Sequence, residues 1–114
     1  MGKEKEAVPY YEKAIRLGLT DSDLEGAIVG LGSTYRTLGK YEKSKETFVR
    51  GLDLFPDNPV IKVFLSMTLY NLGEHSKSME LMLNSLMDTT ADQTILKYKK
   101  AINFYSDKLD ETWT

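Results

Sequence analysis

The chain has 114 residues, of which 41% are hydrophobic and 28% charged, with 15 basic against 17 acidic side chains and a formal net charge of -2. This length supports one domain with a core of its own, and the composition excludes a body that stays disordered. The two charge signs are interspersed, which excludes the broad basic field of a nucleic-acid or anionic-membrane binder, and the absence of Cys removes disulfides, thiolate metal sites and thiol chemistry together.

The N-terminal stretch MGKEKEAVPYYEK carries charge where a secretory leader needs an apolar core. Glu6 stands where a myristoylation signal beginning Met-Gly prefers Ser or Thr. No run approaches the roughly 18 apolar residues of a membrane span, so a cytoplasmic location is expected. Ala7, Tyr11, Ala14 and Ile15 recur at helical spacing and predict a first helix. Pro9 is compatible with it only near the start, where no intrahelical bond is lost.

The next helix is expected to open at Asp21–Glu25, with Ser22 and Glu25 as a capping box. It carries Ile28, Leu31, Tyr35 and Leu38 on one face and ends at Gly39. A third carries Phe48, Leu52 and Phe55. Asp57 followed by Pro59 starts a fourth, which ends at Gly73. In the fifth, Met79 and Met82 are expected to face inward, with Met87 near its end, all as core filler. Thr90 and Gln93 form a second expected capping box. It opens a single last helix whose stripe is Ile95, Tyr98, Ile102, Tyr105 and Leu109, with Lys97, Lys99, Lys100 and Asp107 elsewhere. Strand-type alternation is missing, so the expected class is all-α with about six helices.

A shift of 34 residues superposes much of the chain on itself. Leu31 falls on Leu65, Gly32 on Ser66, Leu38 on Leu72, Gly39 on Gly73, Ser44 on Ser78, Glu46 on Glu80, Phe48 on Met82, Gly51 on Ser85 and Leu52 on Leu86. Small residues meet small ones and bulky ones meet bulky ones. The pattern Leu31-Gly32-x-x-Tyr35, Gly39-x-Tyr41, Ser44-x-x-x-Phe48, Gly51-Leu52 and Pro56 resembles the tetratricopeptide repeat.

That resemblance implies a right-handed superhelical stack of antiparallel helix pairs forming one domain over 1–114. It divides into a half repeat at 3–20 that has only the second helix, complete repeats at 21–58 and 59–90, a capping helix at 91–110 and a tail at 111–114. The stretches LGSTYRTLGKY and FPDNPVIKVFLSMTLYNLGEH are similar to a bacterial group of such proteins. A half repeat with an apolar first helix implies either further repeat upstream or pairing of two chains. Val8, Tyr11 and Ile15 are the residues expected at such a homodimer contact.

The close glycines Gly26, Gly30 and Gly32 raise a nucleotide-binding alternative. A dinucleotide fingerprint needs Gly where Tyr35 stands, and a phosphate loop tried on Gly39-Lys40 has Thr34 and Tyr41 at its other key places. Both fail. A helix-interior Gly destabilises by about 0.5–1 kcal/mol relative to Ala, so a packing reason is required. Gly32 is expected to accept a bulky side chain from Tyr41–Phe48. Gly26 and Gly30 either line a groove or fit against Tyr11 and Ile15.

Catalytic constellations are scarce. His75 has no Cys or second His to join it, and the acid pairs Asp21/Asp23 and Asp110/Glu111 suit helix ends. The expected protein is noncatalytic and needs no cofactor or metal. The resemblance implies that its partner is another protein or peptide, and neither nucleic acid nor membrane. The partner would be held in a concave groove offering Gly26, Val29, Gly30, Ser33, Arg36 and Thr37 from one helix and Val60, Val63, Phe64, Met67, Tyr70 and Asn71 from the next. Lys97 and Tyr98 are the expected additions from the last helix. Val29 and Ser33 stand where the family's carboxylate-holding mode places Lys and Asn, so that mode is not carried over.

Overall fold

The computed structural model describes residues 4–113; Lys3 of the expected half repeat and Thr114 of the expected tail lie outside them. The chain runs through α1 (Glu4–Arg16), α2 (Asp21–Thr37), α3 (Tyr41–Leu54), α4 (Pro59–Asn71), α5 (His75–Thr89), α6 (Gln93–Leu96) and α7 (Lys99–Tyr105), with no strand among the described residues. Each of the first four helices packs on the next, and α7 packs on α5. The resulting body is elongated, 52 × 29 × 24 Å with a Cα radius of gyration of 16.0 Å. A compact domain of this length would have a radius of about 13 Å. These are the proportions of an α-solenoid, whose helices contact mainly their neighbours in sequence.

Local chemistry sets the helix ends. Gly39 and Gly73 adopt φ of 77° and 78°, and each helix closes with a backbone bond reaching five residues back, Lys40 N to Tyr35 O and Glu74 N to Leu69 O. Gly18 takes the same conformation after α1. The N-termini differ from expectation by one or two residues. α2 opens at Thr20, whose hydroxyl donates to Asp23, and not at Ser22. α4 is capped by Asn58, which accepts from Ile61 N at 2.9 Å, one residue after the expected Asp57. α6 is capped by Asp92, which accepts from Thr94 N and Ile95 N, and not by Thr90. In all three places several short polar residues adjoin, and the one that stands immediately before the first helical residue, in extended conformation, takes the cap.

Close approach between helices rests on small residues. A Cβ built on Gly32 would lie 2.5 Å from Phe48 Cε1, inside the ring's van der Waals surface, and Phe48 itself is fully buried. Because α3 comes so near, the Ser44 hydroxyl donates to Gly32 O across the pair at 2.7 Å. Thr68 Oγ1 lies 2.9 Å from the same Ser44 hydroxyl. The next hairpin repeats the bond, Ser78 donating to Ser66 O at 2.6 Å. Gly51 opens the other side of α3, where Ile28 Cγ2 and Ile61 Cδ1 would stand 2.8 and 3.2 Å from a Cβ. The core of Ile28, Phe48, Ile61, Leu65 and Leu69 forms around these openings, with Phe64 stacked on Phe48.

Two expectations are corrected. The last helix is not continuous over 91–110: Tyr98 leaves helical geometry at φ −105°, ψ 12°, and its N–H bonds to Ile95 O in a tightened turn, so the segment divides into α6 and α7. Leu109 falls beyond the helix altogether. Met79 points outward at 46% exposure, whereas Met87 is fully buried as expected.

Glycine substitutions in α2 separate packing from propensity. Gly26 has nothing within 4 Å of a built Cβ, so Gly26→Ala should stabilise by about 0.5–1 kcal/mol. Gly32→Ala forces the buried Phe48 ring aside and should destabilise by about 1–3 kcal/mol despite the better propensity. Urea unfolding of the two variants checks the opposite signs.

One ion pair ties α3 to the turn before α5, Lys45 Nζ to Glu74 Oε2 at 3.0 Å. The hydrogen bond from Lys45 holds the Glu74 carboxyl below its usual range. A folded pKa lower than the unfolded one means the contribution is complete above the unfolded value and lost as pH falls through the folded one. The gap in melting temperature between wild type and Glu74→Gln should therefore be full at neutral pH and close as pH drops below about 4.3, measured by thermal unfolding across pH.

Candidate functional site

The helices form two layers. α2 packs directly on α4, whereas α3 makes no comparable contact with α1 or α5. The α2–α4 layer is therefore the inner, concave side of the stack. Across it, Arg36 Nη1 donates to Asn71 Oδ1 at 3.3 Å, linking the ends of two helices that are far apart in sequence. Beside this link is a depression of about 400 Å³, lined by Arg36, Ser66, Met67, Tyr70, Asn71, Ser78 and Met82. Tyr70 is 63% exposed at its edge. His75 lies against Tyr70, with ring centroids 4.8 Å apart.

Two polar atoms on this face are buried without a hydrogen-bond partner, Ser33 Oγ and Arg36 Nε. Spaced by three on α2, they are neighbours on one side of the helix. An unsatisfied buried donor is unfavourable by about 1–3 kcal/mol, and this exception draws attention to the place where it occurs.

The fold gathers Arg36, Met67, Tyr70 and Asn71 around one depression, with Ser33 one turn away. Val29 and Phe64 instead pack against the core cluster. Val63 is half-buried on α4. Lys97 is exposed at the α6–α7 break, and among the described residues no hydrogen bond or ion pair joins it to α4. Gly30 accepts the Tyr11 ring, whose Cε1 would lie 2.5 Å from a built Cβ, so the fit against α1 is the alternative realised there. Gly26 faces open space. Of the α1 residues expected at a homodimer contact, Tyr11 fills that gap and Ile15 packs on the core. Tyr10 and Leu17 are the ones left about 70% exposed, at 70% and 71%. Ser78 and Met82 are additions from α5; their alignment with Ser44 and Phe48 marks them as packing residues and hides their part in the depression.

Elsewhere the chemistry is sparse. Among the described residues no three His, Asp or Glu side chains converge as metal ligands, and no described helix is long and apolar enough to cross a membrane. Tyr35 donates to Glu12 at 3.1 Å and joins α2 to α1. Partial burial of the phenol is the first cause of its raised pKa, and Glu12 adds to it.

Comparison with known proteins agrees with this architecture. A family profile described as Tetratrico peptide repeat matches residues 1–109. Superkiller protein 3 of Saccharomyces cerevisiae is 22% identical over 92 residues, a match covering 81% of this chain but 6% of the yeast protein. The likeness is thus to one short stretch of a far longer molecule. With the two-layer stack, the glycine openings and a profile match along nearly its whole length, the chain belongs to the tetratricopeptide repeat family, whose repeats serve as protein-interaction modules.

Proposed function

We infer that this chain is a noncatalytic interaction module that holds an amphipathic or apolar segment of another protein on the α2–α4 face. The observation carrying this reading is the Arg36–Asn71 link beside an open depression with Met67 and Tyr70 on its wall. Arg36 gives one of its five donors to Asn71, which leaves others for acceptors on a bound chain, while Met67 and Tyr70 supply adaptable apolar contact. The helices hold these groups in place beforehand, which lowers the ordering cost of binding.

In this reading the repeats run over 21–58 and 59–90, with the half repeat 3–20 before them and the segment 91–110 after. Val29, Ser33, Val63 and Lys97 would lie along the path of a longer bound segment. A partner that is protein, and not nucleic acid, suits a net charge of -2, and a cytoplasmic setting suits a chain without Cys.

Peptides selected on the wild-type chain from a displayed random library should carry apolar anchors at helical spacing. Their affinity, measured by calorimetry, should fall at least about tenfold in the Arg36→Ala, Tyr70→Ala double variant, a loss of about 1.4 kcal/mol or more. Tyr70 is exposed and Arg36 only partly buried, so the helical circular dichroism should be unchanged. Equal affinity for the double variant would remove the α2–α4 face as the binding surface.

A further inference from the structure

The C-terminal end of the stack carries a second surface, formed by other helices than the α2–α4 face. α5, α6 and α7 border an open trough of about 680 Å³ walled almost wholly by apolar atoms, among them Leu83, Ile95, Tyr98, Ile102, Tyr105 and Leu109. The stripe expected to turn inward on a capping helix is thus largely uncovered. α7 has no fully buried residue; Tyr98 is 61% exposed, Tyr105 47%, Leu109 53% and the neighbouring Trp113 61%. Tyr105 meets Phe104 and Trp113 edge to face, at centroid distances of 5.0 and 5.5 Å, so the aromatic surface is continuous. Scattered single apolar residues need no explanation, but a contiguous aromatic patch of this kind is interface composition.

The charge along this strip has a direction. Lys97, Lys99 and Lys100 sit exposed at one end, and among the described residues none of them forms an ion pair. Asp107, Asp110 and Glu111 lie exposed at the other, with Asp107 held by Lys108 at 2.7 Å and Asp110 by the Ser76 hydroxyl at 2.6 Å. A wholly acidic or wholly basic segment laid in the trough would meet repulsion at one end. A second copy laid antiparallel, about a two-fold axis near Ile102, sets acid against base at both ends and apolar stripe against apolar stripe in between. This is the self-complementarity that an isologous dimer requires.

We propose that the α6–α7 strip is a dimerisation surface whose partner is a second copy of this chain, packed antiparallel. The five half-exposed side chains Tyr98, Phe104, Tyr105, Leu109 and Trp113 cover on the order of 1,000 Å² in total when two copies meet. That is the size of a weak, reversible association.

The test is sedimentation equilibrium of the full chain from about 5 to 500 μM, with fluorescence of its single tryptophan as a second signal. A concentration-dependent dimer with a blue shift of Trp113 is expected. Tyr98→Asp with Leu109→Asp, both at exposed positions, should leave a monomer with unchanged helical circular dichroism. Two charge variants complete the test, Lys99→Glu with Lys100→Glu, and Asp107→Lys with Glu111→Lys. Each should self-associate at least about tenfold more weakly than wild type, and an equimolar mixture of the two should form a mixed dimer. The proposal is overturned by a wild-type chain that is monomeric at the highest concentration, which would give the trough to a different partner. It is equally overturned by a dimer that survives the Tyr98/Leu109 changes, or by charge variants that do not associate when mixed.

Discussion

The closeness of α2 and α3 governs the structure. It exists because position 32 has no side chain. The Phe48 ring occupies the space that a side chain at Gly32 would fill, and the same proximity lets the Ser44 hydroxyl reach a carbonyl of the neighbouring helix. That carbonyl already takes part in its own helix, so the serine bond adds direction to an otherwise nondirectional apolar contact. The bond recurs between Ser78 and Ser66, where Ser replaces Gly. At that second crossing Met82 stands where the repeat alignment places Phe48, and it borders the same depression as Ser66.

Much of this was legible in the sequence, and the limits have physical causes. Gly32, Gly39 and Gly73 could be read because each does something other residues do badly: accept a ring, or adopt positive φ. The helix starts were misread by one or two positions because Thr20, Ser22 and Asp23, or Asp57 and Asn58, are all competent caps, and backbone conformation chooses among them. The break at Tyr98 left no trace in the periodicity, since Ile95, Tyr98, Ile102 and Tyr105 keep helical spacing across it. What differs is tertiary, because α7 docks on α5 and has to turn to do so. Met79 was misplaced for a related reason: its spacing from Met82 and Met87 gives the stripe but not its centre.

The candidate site shows the same division. Arg36 and Asn71 could be expected on one face from the repeat, and the 3.3 Å link between them lies there. The roles of Ser78 and Met82 could not, because they reach the depression from the helix behind it. Ser33 and Arg36 hold unpartnered polar atoms on the α2–α4 face. An all-apolar replacement there would relieve a local deficit, so the polar choice is a departure from what stability alone favours. Such departures collect where a surface has work beyond holding itself together.

The elongated outline has a consequence of its own. In a body where each rod leans chiefly on the rods before and after it, there is no single centre through which every region communicates. A lesion in one hairpin weakens its immediate neighbours and fades beyond them, and loosening can begin at either extremity while the middle stands. Such a molecule loses order like a row being dismantled from its ends.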